Sequence, residues 1–294
     1  MIPLDNDIIT SIILRGFSNS TCKNYLRYLK KFFHTYNKDP EELDISFVKD
    51  YLCDMISVKK YHPSTCDIIY SALKFYYCNM LKYDKSLFDF YKPKKCRKIP
   101  TVLTPKEVSN IIDSFYDIDY RMIVRLAAFT GLRVSEAVSI RTSDINAHLK
   151  TLTIRQSKGN KDRTIPIPDK LIEELREYWK THQNKELLFP KRKSRDPDFD
   201  RKYTKEHITK EQMCKVFFKV ITSLNLTKKV VFHTLRHSYA TNLLECGVNI
   251  AVLKDILGHS SVNTTMQYIH MTNSSSSYSY QKVCGLMKII DETK

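Results

Sequence analysis

The sequence predicts a mainly α-helical protein in two domains, an N-terminal helical bundle followed by a larger, mostly helical domain with a small antiparallel β-sheet. Three observations predict it. Apolar residues recur at three- and four-residue spacing from Asp5 to about Tyr91 with few breakers. A basic run bracketed by prolines then interrupts all periodicity, and beyond it one short stretch alternates between further helical segments. At 294 residues the chain is long enough for two cores of ordinary size.

Taking the elements in order, Ser18 or Ser20 caps a helix whose apolar face is Tyr25, Leu29, Phe32, Phe33 and Tyr36. The same helix carries Lys23, Arg27, Lys30 and Lys31, either a solvated face or a nucleic-acid contact. A second helix runs over 46–57 (Phe47, Tyr51, Leu52, Met55) and a third over 64–81 (Ile68, Ile69, Leu73, Tyr76, Tyr77, Met80). Ser64 and Asp67 are placed to form a capping box behind Pro63. The many tyrosines sit at helical spacing, which makes them core and rim residues before a base-stacking platform.

The run from Tyr91 to Pro100, with Lys94, Lys95, Arg97 and Lys98, reads as an interdomain linker over 92–101. Its charges suit a nuclear-localisation patch or a chain that crosses a DNA backbone, and the second is preferred. Thr104, Pro105 and Glu107 then cap a helix through Ile112, and 120–130 forms an apolar central helix that Gly131 ends. A helix over 132–140 has Arg133 in its first turn. Strands at 151–155 and 163–167 flank a basic hairpin tip holding Lys158 and Lys161. A helix over 169–180 and an exposed loop over 191–207 precede a helix capped by Thr209 and Gln212. His233 then precedes a helix over 234–246, and another follows over 250–257, stopped by Gly247 and Gly258. Beyond four serines at 274–277, Val283, Leu286, Met287 and Ile290 recur at helical spacing.

The formal net charge of +16 favours a polyanionic partner, because clustered cations gain by displacing counterions from phosphates. No apolar run approaches the roughly 20 residues that span a bilayer, and no secretory leader pattern opens the chain, so a soluble cytoplasmic protein is expected. The 8 cysteines are scattered without a CxxC pair and read as reduced thiols. No metal and no cofactor is expected. His233 and His237 have the spacing of a zinc helix but lack the glutamate of HExxH.

Breaking a phosphodiester without a metal needs cations on the non-bridging oxygens, an in-line nucleophile and a proton donor for the leaving oxygen. Arg133 and Arg236 supply planar, permanently charged forks; His233 and His259 donate hydrogen bonds or move protons near neutral pH. Tyr268 is the candidate nucleophile, though a phenol of pKa about 10 needs a base and a positive field to ionise. Lys158, on the hairpin tip, is a candidate general acid for the leaving 5′ oxygen. Taken singly each residue has a bland alternative, Arg133 for instance as an ion-pair partner of Glu136.

The order and spacing of the set decide between these alternatives. GLRVSE at 131–136, SKGNKDR at 157–163, HTLRHSYAT at 233–241, LGHSS at 257–261 and Tyr268 closely resemble the tyrosine recombinase (phage integrase) family, and most nearly its chromosome-dimer-resolving and integron- or transposon-type members. The resemblance spans essentially the whole second domain. It implies a SAM-like core-binding domain over 1–91 and a catalytic domain over 102–294. It implies Arg133 and Arg236 as phosphate clamps, Lys158 as general acid, His233 as proton-transfer histidine, His259 as a second donor to the phosphate, and Tyr268 as nucleophile. Glu136 and His237 take supporting positions.

The activity so implied is site-specific cleavage and rejoining of duplex DNA through a 3′-phosphotyrosine and a Holliday junction, by a homotetramer clamped around its sites, without ATP or divalent metal. A C-terminal helix over 283–290 is expected to dock on a neighbouring protomer or on its own domain, and an accessory protein or partner recombinase remains open. A type IB topoisomerase-like relaxing enzyme and a non-cleaving DNA-binding accessory protein are the rival readings.

Overall fold

The computed structural model describes residues 5–38, 42–91, 100–157, 161–192, 200–259 and 261–268. The chain divides into two compact units, Met1–Lys98 and Ile99–Lys294. Among the described residues no helix is long and apolar enough to cross a membrane.

The first unit is built from α1 (Asp5–Leu14), α2 (Asn19–Tyr36), α3 (Ile45–Cys53) and α4 (Pro63–Phe75). Of the two candidate caps on α2, Ser18 serves, its Oγ accepting the Thr21 N–H at 3.2 Å. The α2 stripe of Tyr28, Leu29, Phe32 and Phe33 is buried against the α4 stripe of Ile69, Ala72 and Leu73. Aromatic rings lock edge to face across this core, Phe32 on Tyr51 at 5.1 Å and Phe33 on Tyr76 at 5.1 Å between centroids. The tyrosines are thus packing residues here, each buried ring worth about 1.5–3 kcal/mol.

Two local expectations change. The cap of α4 is His62, because Pro63 takes the first helical position; the His62 Nδ1 faces the Ser64 N–H at 3.4 Å. Asp67 instead accepts the Tyr91 hydroxyl at 3.0 Å. The helices expected over 46–57 and 64–81 both end in a wide π turn, Asp54–Val58 and Tyr76–Met80. Apolar spacing cannot distinguish that turn from the α form over five residues.

The second unit begins with α5 (Pro105–Asp113), where the capping box forms as expected: Thr104 Oγ1 accepts the Glu107 N–H, and Glu107 Oε2 accepts the Thr104 N–H at 2.7 Å. α6 (Ile118–Thr130) buries Met122, Ile123, Val124, Leu126 and Ala127 and forms the centre of this core. Gly131 closes it at φ 64°, donating its N–H to Ala127 O at 2.9 Å. A Cβ there would collide with the Tyr239 ring. Gly131→Ala should therefore lower stability by about 1–3 kcal/mol, measured by urea denaturation, from left-handed strain and overpacking together.

After α7 (Val134–Val138) the sheet is β1 (Ile145–Asn146), β2 (Thr151–Ser157) and β3 (Lys161–Pro166), antiparallel in that order, with Ile145 opposite Leu152 and Leu152 opposite Ile165. Sequence reading expected β2 and β3 only; a two-residue strand is too short to show alternation. α8 (Asp169–Lys180), α9 (Lys210–Ser223), α10 (Phe232–Glu245), α11 (Ile250–Leu257) and α12 (Val262–Met266) complete the described unit.

The expected exposed loop over 191–207 needs correction in its described part. Arg201 donates to the buried Asp119 carboxylate at 2.8 Å, beside the Tyr178 hydroxyl on the same oxygen at 2.8 Å. A buried carboxylate requires such partners, and the chain beyond residue 200 is recruited to supply one. The 283–290 helix and the serine run lie outside the described residues.

Candidate active site

α10 places three candidates on one face, because His233, Arg236 and His237 stand three and four residues apart. His233 lies inside the first turn of this helix, one residue after Phe232, and does not precede it as expected. Val231 is the cap position, and its N–H donates to Thr234 Oγ1 at 3.0 Å.

Arg236 is 1% exposed and ties two helix ends together. Its Nη1 donates to Gly131 O at 2.8 Å, beyond the C-terminus of α6, and its Nη2 to Leu257 O at 2.5 Å, the last residue of α11. Both carbonyls belong to helix C-termini, where orphan acceptors and negative dipole ends attract a cation. Its Nε–H has no acceptor among the described residues. Burial and then Arg133 pull its pKa down to about 10, which leaves it charged at neutral pH.

Arg133 sits immediately before α7, with its backbone N–H on Glu136 Oε2 at 2.9 Å and its Nη1 on Glu136 Oε1 at 2.7 Å. Arg163, in β3, closes on the same carboxylate from the other side with Nη1 at 3.0 Å and Nη2 at 2.8 Å. Its Nε donates to Ile256 O at 3.0 Å, and its side chain packs on Gly258, where a Cβ would lie 2.9 Å from Arg163 Cδ. Burial pushes the Glu136 carboxyl up, but Arg163 and then Arg133 more than reverse this and take it down to about 2.

Tyr268 is 0% exposed and packs on Ala240, Leu253 and Leu257. Its hydroxyl is 3.1 Å from His237 Nδ1, and its ring lies nearly parallel to His259, 6.2 Å between centroids at 12°. His259 Nδ1 is held 2.8 Å from Thr265 Oγ1. His233 and His237 meet edge to face at 4.6 Å.

Burial raises the Tyr268 phenol, with Arg236 the leading charge that opposes it. Burial lowers His233 and takes His237 and His259 to about 4, reinforced by Arg236 and Arg133 at His233 and His259 and by His233 and then Arg236 at His237. At neutral pH all three imidazoles are uncharged, each able to donate one hydrogen bond and accept another. The geometry therefore gathers two cations, three imidazoles and a phenol, with Tyr268 and Arg236 buried, Arg133, His237 and His259 half-buried and His233 exposed.

Comparison with known proteins fits this grouping. The profile of the phage integrase family matches residues 101–275, and the phage integrase N-terminal SAM-like domain matches 4–86. The chain belongs to the phage integrase, or tyrosine recombinase, family. It is thus an enzyme of the DNA strand-transferase class, a site-specific DNA recombinase.

A putative integrase/recombinase, y4qK, of Sinorhizobium fredii is 31% identical over 97% of this recombinase and 87% of its own length. Tyrosine recombinase XerA of Pyrococcus horikoshii is 32% identical over 90% and 88%. Among solved structures, the Tn1549 transposon integrase in complex with transposon right end DNA covers 95% of the recombinase and 98% of its own chain at TM-score 0.71 and 16% identity. A lambda integrase dimer bound to a COC′ core site covers 90% and 75% at TM-score 0.70 and 20% identity. At these identities the two structures speak for the fold.

Of the residues expected from the sequence, the recombinase brings Arg133, Glu136, His233, Arg236, His237, His259 and Tyr268 together. Lys158, Lys94, Lys95, Arg97 and Lys98 lie outside the described residues, and only the backbone of Lys161 is described, as the first residue of β3. In the first unit Lys23, Arg27, Lys30 and Lys31 are all exposed. Arg27 lies over the Tyr28 ring at 4.6 Å, and Lys31 Nζ donates to Tyr61 Oη at 2.6 Å.

Arg163 is the residue that sequence reading missed. A signal for it existed. In a strand, residues two apart share a face, so Arg163 lies on the side of the buried Ile165 and needs a buried acid.

Proposed function

We propose that Tyr268 is the nucleophile with which this recombinase cuts duplex DNA, leaving a 3′-phosphotyrosine and a free 5′ hydroxyl. The observation that carries this reading is the buried Tyr268 hydroxyl held against His237 beside Arg236, with Arg133 close enough to favour its phenolate, the kinds of group that metal-free attack on a phosphodiester requires. Arg133 and Arg236 clamp the non-bridging oxygens. The partnerless Arg236 Nε–H is a donor that a phosphate oxygen would satisfy. His259 donates to the phosphate, His233 moves protons, and Lys158 protonates the leaving 5′ oxygen. Glu136 aligns the arginines. Since Tyr268 and Arg236 are enclosed, DNA must displace the groups that cover them before attack.

In this reading residues 1–91 form a core-binding domain whose Lys23, Arg27, Lys30 and Lys31 contact the DNA backbone. Lys94, Lys95, Arg97 and Lys98 cross it in the linker, and Lys161 adds a contact beside the hairpin tip. The partner is duplex DNA carrying recombination sites, in the cytoplasm, and the working form is a homotetramer that passes through a Holliday junction. The tail over 283–290 would dock on a neighbouring protomer. An open apolar groove between α5, α6 and α10, lined by Val108, Ile112, Phe129 and Leu243, supports this as a seat of matching character.

The test uses a pool of nicked duplexes of random sequence, incubated with the protein and resolved in detergent. The wild type is expected to form covalent adducts whose sequenced DNA shares one site; Tyr268→Phe should bind that site and form none. Adducts that survive Tyr268→Phe would overturn the nucleophile. A wild type that binds but never couples would favour the non-cleaving accessory reading, and relaxation of supercoiled plasmid without a preferred sequence the topoisomerase-like one.

A further inference from the structure

We infer that His237 is the general base that takes the proton of Tyr268, a catalytic residue of its own and not a support for its neighbours. The inference rests on the nucleophile assignment above and goes one step further, to the atom that activates it.

The geometry carries the argument. The Tyr268 hydroxyl lies 3.1 Å from His237 Nδ1, within hydrogen-bonding reach and direct to the atom that must lose its proton. Between a neutral phenol and a neutral imidazole the phenol is the stronger donor and the imidazole the stronger acceptor. The proton therefore sits on Oη and points at Nδ1, with the imidazole's own hydrogen on Nε2. The other two histidines are arranged differently. His259 lies parallel to the Tyr268 ring and directs its Nδ1 to Thr265 Oγ1 at 2.8 Å. His233 meets His237 edge to face at 4.6 Å, so the proton transfer assigned to it above would run through His237.

His237 also stands next to Arg236 in α10, and Arg236 leads the charges that favour the Tyr268 phenolate. The phenol is thus flanked by a proton acceptor on one residue and a phosphate clamp on the next. In the step proposed, the Oη–H bond breaks toward His237 Nδ1 as the Oη–phosphorus bond forms. The phosphorus–O5′ bond breaks, and the leaving 5′ oxygen takes the proton assigned to Lys158. Rejoining runs the same path backward, His237 returning the proton to the phenol oxygen.

The imidazole begins as a weak base. Burial, then His233 and Arg236, hold it at about 4. That weakness is coupled to the substrate. A phosphate seated between Arg133 and Arg236 adds negative charge beside the imidazole, offsets the cations that depress it, and stabilises the imidazolium as it forms. The base strengthens when there is a phosphate to attack, which protects the tyrosine from idle ionisation.

The experiment measures single-turnover adduct formation on a nicked duplex carrying the sequence recovered from the random pool. His237→Gln keeps a polar side chain that cannot take up a proton, and adduct formation should fall about 10²-fold or more. Installing a more acidic fluorinated tyrosine at 268 should shrink that deficit to within about tenfold, because an acidic phenol needs less help from a base. A role in packing alone would leave the deficit unchanged by phenol acidity and would overturn the inference. So would a His237→Gln enzyme that cleaves at the wild-type rate or faster, the result expected if the contact only stores the tyrosine.

Nitrogen-15 NMR of histidine-labelled wild type gives a readout independent of the variant's folding and of DNA. The His237 proton is expected on Nε2 at neutral pH; finding it on Nδ1 would overturn the assignment. Adducts that persist in Tyr268→Phe would instead bring down the nucleophile reading itself, so the two failures are distinguishable.

Discussion

Arg236→Lys should lower the rate of covalent adduct formation by about 10²–10³-fold, the scale of losing one preorganised donor to a developing negative charge. The guanidinium here does two jobs at once: Nη1 and Nη2 bind Gly131 O and Leu257 O, and Nε–H is left for a further acceptor. A lysine ammonium is a point charge on a flexible stem. It can reach one of those carbonyls but cannot reproduce the fork that spans two helix ends and still face a third oxygen. The vacated carbonyl is buried, so stability should fall as well, by about 1–3 kcal/mol. Quench-flow on the selected nicked duplex, beside urea unfolding, separates the two effects. A loss of stability without a loss of cleavage would mark Arg236 as structural only.

Glu136→Gln should cost about 3–5 kcal/mol of stability and most of the cleavage rate, because it leaves Arg133 and Arg163 facing a neutral partner in a partly buried site. Arg163 would lose its bidentate partner while still held to Ile256 O, so β3, α7 and the end of α11 would no longer be clasped together. The acid sensitivity follows with a definite sign. The folded carboxyl is depressed from 4.5 to about 2, so its stabilisation is fully present above about pH 4.5 and is lost as pH falls toward 2. By that linkage the shift is worth roughly 3 kcal/mol. Urea titrations at stepped pH should show wild type losing this increment over that window while Glu136→Gln does not. Parallel curves for the two proteins would remove Glu136 as the source.

Much of the fold was legible because helix caps and glycine stops are local. Thr104 with Glu107, Thr209 with Gln212 and Gly131 act through atoms within four residues of themselves, and all three do what their spacing predicts. The candidate site was legible through order and spacing along the chain. The sequence could set Arg133, His233, Arg236, His259 and Tyr268 side by side as a set without giving any distance between them. One reading failed and one contact went unread where the deciding partner lies far along the chain. Arg201 reads as part of an exposed loop until Asp119, 82 residues away, is seen buried and in need of a cation. Arg163 reads as a strand residue until Glu136 is found 27 residues upstream.

The sequence by itself determined the helical class, the break between two units, the family and the chemical types gathered at the site, because periodicity, composition and motif spacing are properties of the chain. Only the tertiary structure decided which imidazole touches the Tyr268 hydroxyl. His233, His237 and His259 are equivalent donors and acceptors on paper. Packing of α10 against the segment ending at Tyr268 brings His237 Nδ1 to the phenol, turns His259 to Thr265, and closes two helix ends on Arg236. Burial then sets their charge states, and burial is a property of the folded core that a linear pattern does not contain.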